Sequence, residues 1–151
     1  MDKHPIQVAF VNVSNINFVG YMSGVEIQED SYEVKVGFTH SPYDTDEKSI
    51  HLRGKATFGK LQEVGEEHTL NNPFYLDLHV VARFQIDEEQ FDVTYIEDWA
   101  KSNAPMLVMP YLREHVSSLC IRCGFPSVNL PLIQVPRYKD DQTLKKDRDA
   151  D

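Results

Sequence analysis

The stretch APMLVMPYLREHVSSLCIRCGFPSVNLP, residues 104–131, decides the fold. Apolar side chains recur in it at steps of mostly three and four, the period of one buried helix face; they are Met109, Leu112, Val116, Leu119, Cys120 and Cys123. Because proline is tolerated only in the first turn of a straight helix, this helix is predicted to begin near Pro110, or near Pro105 with a bend at Pro110. Gly124 and Pro126 are predicted to end it, and prolines 126, 131 and 136 favour an extended segment afterwards.

The two cysteines, Cys120 and Cys123, have the CxxC spacing of redox and zinc sites. Zinc would need two more ligands, and the sequence has no second CxxC and no paired histidine motif. A redox pair normally lies at a helix N-terminus, whereas this pair lies near a predicted C-terminus. We therefore predict two buried thiols that pack as small apolar groups.

Three stretches before the helix alternate between apolar and polar residues. Residues 32–39, 50–58 and 74–86 each have one apolar and one polar face, and the third has the longest alternation. Strands with one polar face are typical of an antiparallel sheet, because parallel strands are buried on both faces. The sequence thus predicts an α+β fold, in which one face of an antiparallel sheet is covered by the long C-terminal helix.

The first apolar stretch, residues 6–18, differs from the other three. Ile6, Val8 and Phe10 share one face of an extended chain, but Ala9, Val11 and Val13 make the opposite face apolar too. This pattern predicts a fourth strand, either covered on both sides or lying at an intermolecular contact. Asn15 suggests a bulge or bend near its end.

The connecting segments hold further candidates. Residues 19–31 contain apolar side chains that are unusual in a free loop, namely Tyr21, Met22, Val25 and Ile27. This loop either folds over the body of the protein or lines a binding surface. Residues 88–103 fit an irregular or helical lead-in to the long helix. We expect residues 1–136 to form one domain and residues 137–151 a charged, disordered tail.

Composition excludes several classes of function. The net charge is −9, and residues 1–136 hold 10 Lys and Arg against 19 Asp and Glu. This excess repels phosphate, so nucleic acid is not an expected partner. No apolar run approaches the roughly 20 residues that span a bilayer, and the N-terminus lacks the apolar core of a secretory signal. We expect a protein of the cytoplasm with no integral membrane segment.

Nothing in the sequence indicates a catalytic site. It contains no serine elbow, P-loop, HExxH or glycine-rich nucleotide fingerprint. Asp77 and His79 share one strand face and could form a dyad, but no nucleophile accompanies them. We predict a protein that is not an enzyme and needs no cofactor; the rival class is an enzyme or small-ligand binder with a closed pocket.

The stretch of residues 104–131 resembles the SecB family of protein-export chaperones. Met106 to Glu114, MLVMPYLRE, resembles the family's apolar tetrad and Pro-aromatic-x-Arg sequence at the start of its long helix, and GFPSVNL, residues 124–130, resembles the sequence that follows that helix. The order of four strands and then a helix extends the resemblance over about residues 6–136.

The resemblance implies an ATP-independent holdase that assembles as a dimer of dimers, with the long helices sandwiched between the sheets. Unfolded polypeptides or preproteins would occupy apolar grooves lined by two segments. The implied client-binding residues are Tyr21, Met22, Val25 and Ile27 in the first segment and Phe125, Leu130, Ile133 and Val135 in the second. Backbone hydrogen bonds and a negative rim that attracts basic clients would assist capture.

The sequence departs from the family in two respects. The family's second helix and SecA-docking tail have no counterpart after Pro136, where RYKDDQTLKKDRDAD follows. Asp77 matches one of the family's acidic SecA-binding positions on the sheet, whereas Asn15 and Val19 stand at others. SecA is thus one implied partner, contacted through Asp77. The alternative is a dedicated SecB-like chaperone whose client is a specific protein such as an antitoxin.

Overall fold

A computed structural model of the chain describes residues 2–21, 32–66, 72–128 and 130. Four strands form one antiparallel sheet in the order β1-β4-β3-β2; they are β1 (Ile6–Gly20), β2 (Lys35–His40), β3 (Ser49–Phe58) and β4 (Phe74–Ile86). Helices α1 (Ile96–Ser102) and α2 (Ala104–Arg122) follow, and α2 packs against β3 and β4. The structure confirms the predicted α+β fold of four antiparallel strands and a long helix.

The inner strand β4 holds the centre of the core. Every second residue from Phe74 to Ile86 is buried on the face towards α2, here called the inner face. The intervening residues, among them Asp77 and His79, lie on the opposite face, here called the outer face. This alternation is the one that the sequence predicted, because a strand covered on one side has a period of two.

Strand β1 corrects the interpretation of residues 6–18. Its register against β4 shifts twice, and Ala9 and Ser14 are the residues left without a partner. Each such bulge turns the following residues to the other face. Val11 and Val13 therefore join Val8 on the inner face instead of forming a second apolar face. The bulge predicted near Asn15 lies at Ser14, although the strand continues to Gly20.

Residues 88–103 were predicted to form an irregular or helical lead-in to the long helix, and the structure shows a helical one. Asp92 caps a short 3-10 helix, Val93–Tyr95, by accepting a hydrogen bond from the Thr94 amide at 3.0 Å. Helix α1 follows and buries Trp99 edge-on against Phe84, with ring centroids 5.1 Å apart. This contact fixes the start of α2 against the sheet.

Helix α2 begins at Ala104 with Pro105 in its first turn, so the earlier of the two predicted starts is confirmed. Pro110 lies inside the helix, which is bent. A proline there removes one backbone hydrogen bond and crowds the preceding turn, which accounts for a bend. The buried side of α2 includes Val108, Leu112 and Val116, which face β3 and β4.

The helix ends as predicted at Gly124, whose φ of +81° lies in the left-handed region. The Gly124 amide donates to Ile121 O at 3.1 Å, and the Phe125 amide donates to Cys120 O at 2.9 Å. These two bonds form a Schellman motif, which satisfies the last carbonyl groups of the helix and reverses the chain. The reversal directs Phe125 back towards the sheet.

The prediction of two buried thiols was right for Cys120 and wrong for Cys123. Cys120 is buried against the sheet, and burial raises the pKa of its thiol to about 11. Cys123 is exposed, because it is the C-cap residue at the point where the chain leaves the helix. The two cysteines are free thiols.

Candidate functional site

An aromatic cluster closes the end of the sheet at which β1 ends and β4 begins. It consists of Phe18, Tyr32, Phe58, Phe74 and Phe125. Phe74 lies at its centre, with ring centroids 4.5 Å from Phe58, 5.0 Å from Phe125 and 5.1 Å from Phe18. Aromatic pairs at these distances add to the stabilisation that burial alone provides.

The two segments predicted to line the client groove meet at this cluster. A Cβ atom on Gly20, the last residue of β1, would lie 3.1 Å from a ring carbon of Phe125. Tyr32 is the first described residue after residues 22–31. Its ring lies edge-on against the ring of Phe58. Both ends of the first predicted segment therefore lie at the aromatic cluster, beside the start of the second.

Three of the predicted client-binding residues are described. Phe125 and Leu130 are buried, with 7% and 6% of their surface exposed. Tyr21 is half-buried; its amide donates to Pro73 O at 2.9 Å and its hydroxyl accepts from the Gln62 amide at 2.9 Å. The other five predicted residues, Met22, Val25, Ile27, Ile133 and Val135, lie outside the described residues.

Helix α2 has a second apolar side that faces away from its own sheet. Met106, Leu107 and Tyr111 are 55%, 47% and 43% exposed. Pro110 lies between them and is exposed too. A helix that is apolar on both sides is typical of one buried from both sides. The sequence stripe from Met109 to Cys123 did not single out these residues, although MLVMPY at the start of α2 has almost no polar side chain that would mark an exposed face.

The inner face of β1 continues this apolar surface. Val8 and Ile16 are 47% and 53% exposed, and Val11 and Val13 between them are half-buried. Together with Met106, Leu107 and Tyr111 of α2, these four residues are here called the apolar face. It includes an open depression of about 720 Å³ between the start of β1 and the start of α2, lined by His4, Ile6, Gln7, Val8, Trp99, Asn103, Met106 and Leu107.

The predicted dyad does form a hydrogen bond, on the open outer face. His79 Nε2 lies 3.0 Å from Asp77 Oδ1, and Lys55 Nζ lies 3.6 Å from the same oxygen. Asn15 donates to the second carboxylate oxygen at 3.3 Å. Neither Asp77 nor His79 lines the 720 Å³ depression. These contacts surround the carboxylate with an ammonium group, an imidazole and an amide, and none of them supplies a nucleophile.

Comparison with solved structures identifies similar folds. Rv1957, a SecB-like chaperone of Mycobacterium tuberculosis solved with a ChAD peptide from the Rv1956 HigA1 antitoxin, matches with a TM-score of 0.63. The match covers 88% of this chain and 94% of that chain, at 14% identity. A protein of unknown function from Streptococcus agalactiae matches with a TM-score of 0.45 and 11% identity, over 84% of this chain and 97% of that one.

Sequence comparison adds no relative: no protein-family model matches the chain, and no curated protein matches it. Within the described ranges, neither helix combines the length and apolar character needed to cross a bilayer. The match to Rv1957 spans most of the chain. The likeness inferred from residues 104–131 is therefore confirmed at the level of the fold, and the chain has the fold of a SecB-like chaperone.

Proposed function

We propose that this chain is a subunit of an ATP-independent chaperone, a holdase that binds unfolded polypeptides in apolar grooves. The observation that carries the proposal is the meeting of the two predicted groove segments at the aromatic cluster, where Gly20 and Phe125 are in contact. The loop that begins after Tyr21 contains Met22, Val25 and Ile27, and the segment after Leu130 contains Ile133 and Val135. Their apolar side chains are proposed to contact client side chains above the cluster.

A client that is one dedicated protein is favoured over general export. The SecB-like neighbour was solved with a peptide from an antitoxin, so a fold of this kind accommodates a specific polypeptide. For export, Asp77 would be the proposed SecA contact. Its carboxylate is shared by Lys55 and His79, and a partly neutralised acid attracts a basic partner weakly. An antitoxin-like client is accordingly our first candidate, with SecA-coupled export as the alternative.

The proposed assembly is a dimer of dimers that buries the apolar face. An exposed contiguous apolar surface of this kind is a common mark of a protein–protein interface. Met106, Leu107 and Tyr111 would pack between two sheets, which supplies the second buried side that α2 needs. The proposed site of action is the cytoplasm, where Cys120 and Cys123 would remain reduced.

The proposal is tested by light scattering of a chemically denatured client diluted into the protein without nucleotide. The wild-type chain is expected to suppress aggregation, and a Val25→Asp/Ile27→Asp variant to lose most of that protection, because two charges in an apolar groove are costly to bury. Phe10→Asp, an exposed apolar residue of the outer face, is the matched control and should protect as wild type does. No suppression by the wild-type chain would contradict the proposal.

A further inference from the structure

The outer face of the sheet differs in charge from the rest of the chain. The four strands contain five Lys, Arg, Asp and Glu residues, and all five lie on the outer face; they are Lys35, Arg53, Lys55, Asp77 and Arg83. The whole chain has 15 Lys and Arg against 24 Asp and Glu. Among the strand residues of this face the ratio is reversed, with four permanent cations and one acid. We call these five residues the basic face.

Internal ion pairs leave much of this positive charge uncompensated. Asp77 is shared by Lys55 at 3.6 Å and His79 at 3.0 Å. Arg83 pairs at 3.1 Å with Glu47, an exposed residue in the turn between β2 and β3. Lys35 and Arg53 are exposed and form no ion pair with any residue of the described ranges. The charge on these two side chains is available to a partner.

The cations are arranged across three neighbouring strands. Arg53 and Lys55 are two residues apart on β3, so about 7 Å separates them along the strand. Lys35 on β2 pairs with Thr57, and Arg83 on β4 pairs with His51. Lys35 is therefore a diagonal neighbour of Lys55, and Arg83 a diagonal neighbour of Arg53, each at about 8 Å. Like charges at about 7–8 Å lie within a Debye length of one another at physiological salt and therefore repel. A surface that keeps them, in a chain so rich in acids, is explained by a ligand that neutralises them.

We propose that the basic face is a docking site for an acidic segment of a partner protein. Carboxylates at alternate positions of an extended peptide are about 7 Å apart, which matches the spacing of Arg53 and Lys55. Charge-assisted hydrogen bonds from Arg and Lys to carboxylates are among the stronger polar contacts. The partner is thus recognised by two or more carboxylates along one edge of an extended chain.

A nucleic acid fits this surface less well than an acidic peptide. The basic face is bounded at both ends of β3 by acidic residues, with Asp44 and Asp46 before the strand and Glu63 and Glu66 after it. A phosphate backbone that runs past the patch would extend over these acids, which repel it. A short acidic segment is confined to the patch.

The basic face and the apolar face lie on opposite sides of the sheet. Val8 and Ile16 of the apolar face pair with inner-face residues of β4, whereas Arg83 and Asp77 lie on the other side. A partner on the basic face would therefore leave the aromatic cluster and the proposed client groove accessible. The docking proposal does not depend on the holdase proposal, and either one can fail alone.

The test uses fluorescence anisotropy, with the full-length protein, of a labelled six-residue peptide that carries Glu at alternate positions and spans about 20 Å when extended. The peptide is expected to bind, with affinity that falls as salt rises. Arg53→Glu/Lys55→Glu should weaken binding by at least about tenfold, since both attraction and geometry are lost. The matched control is Lys101→Glu/Arg122→Glu, which makes the same change in net charge at exposed helical positions and should alter binding by less than about twofold.

Three outcomes would overturn the proposal. They are no peptide binding at low salt, equal weakening in both double variants, and tighter binding of a single-stranded oligonucleotide of equal charge than of the peptide. Circular dichroism checks that the variants fold; if Arg53→Glu/Lys55→Glu does not, Arg53→Gln/Lys55→Gln should still weaken binding. Aggregation of the client is measured with the same variant. If Arg53→Glu/Lys55→Glu suppresses it as well as wild type does, the variant has lost docking and kept holdase activity.

Discussion

Phe125 rests directly on the backbone of Gly20, so closely that a Cβ atom at residue 20 would lie 3.1 Å from its ring. The contact joins the last residue of β1 to the chain that leaves α2. The ring of Phe74 is tilted against that of Phe125, with the two centroids 5.0 Å apart. Two segments that are more than one hundred residues apart in sequence are thereby held together at one end of the sheet.

Substitution of Gly20 tests this contact. Gly20→Ala should lower the free energy of unfolding by about 1 kcal/mol, because the added methyl group would lie 3.1 Å from the ring of Phe125, closer than ordinary van der Waals contact. The cost should largely disappear in a Phe125→Ala background, where the ring is absent. Urea unfolding of the two single variants and the double variant measures the coupling. Additive losses would show that the two residues do not interact.

The Schellman motif at the end of α2 gives a second prediction. Gly124→Ala should cost about 1 kcal/mol of unfolding free energy, because a residue with a Cβ is strained at a φ of +81°. Gly37→Ala is the matched control: a Cβ there meets nothing within 4 Å, so strand stability should be unchanged or slightly raised. Equal losses at both sites would argue against the motif.

The buried thiol predicts a pH dependence of stability. The pKa of Cys120 is raised by burial from 9.0 to about 11, so the folded state retains a proton that the unfolded state loses. The contribution of the Cys120 thiol to the free energy of unfolding is fully present below about pH 9 and is lost as pH rises towards 11. Tyr43, whose pKa is raised to about 12 by burial and by Glu88, contributes in the same direction at higher pH.

Two cysteine variants isolate that effect. Between pH 9 and 11, unfolding free energy should fall less steeply in Cys120→Ala than in Cys123→Ala, since only the first removes the buried thiol. At pH 8 a thiol reagent should label Cys123 quickly and Cys120 only after unfolding. Equal labelling rates for the two cysteines would contradict the assigned burial.

The apolar face predicts the assembly state. Met106→Glu/Leu107→Glu should convert an assembly of several protomers into smaller species, because the charges would be buried unpaired. Leu61→Glu, at a residue that is 59% exposed and lies outside the apolar face, should leave the assembly unchanged. Light scattering coupled to size-exclusion chromatography measures both. A monomeric wild-type chain would remove the basis for the proposed dimer of dimers.

Sequence alone was sufficient where one residue type determines local structure. The alternation in β4 and the turn at Gly124 were readable, because burial and positive φ each constrain the residue at that position. The start near Pro105 was one of two alternatives that the prolines allowed. β1 was misread because Ala9 and Ser14 have no property that marks an extra residue in a strand. The periodic stripe included Cys123, one position beyond the last helical residue, Arg122.

The site was predictable only in part, because its geometry depends on tertiary contacts. The resemblance indicated the two segments, but no local pattern indicates that Phe125 would be buried on Gly20. The second apolar side of α2 was implied by the resemblance but not by periodicity, because the helical stripe began at Met109 and left out Met106 and Leu107. The basic face required the strand register, which places Lys35 and Arg83 on either side of β3.

Site-specific photocrosslinking to an unfolded client tests the holdase account most directly. A photoreactive amino acid is placed at residue 27 or 133, in the two proposed groove segments, and at residue 10 or 101 as controls. If the two segments bind the client, crosslinks to the client are expected from positions 27 and 133 without nucleotide, and few from positions 10 and 101. Equal crosslinking at all four positions, or none at 27 and 133, would contradict it.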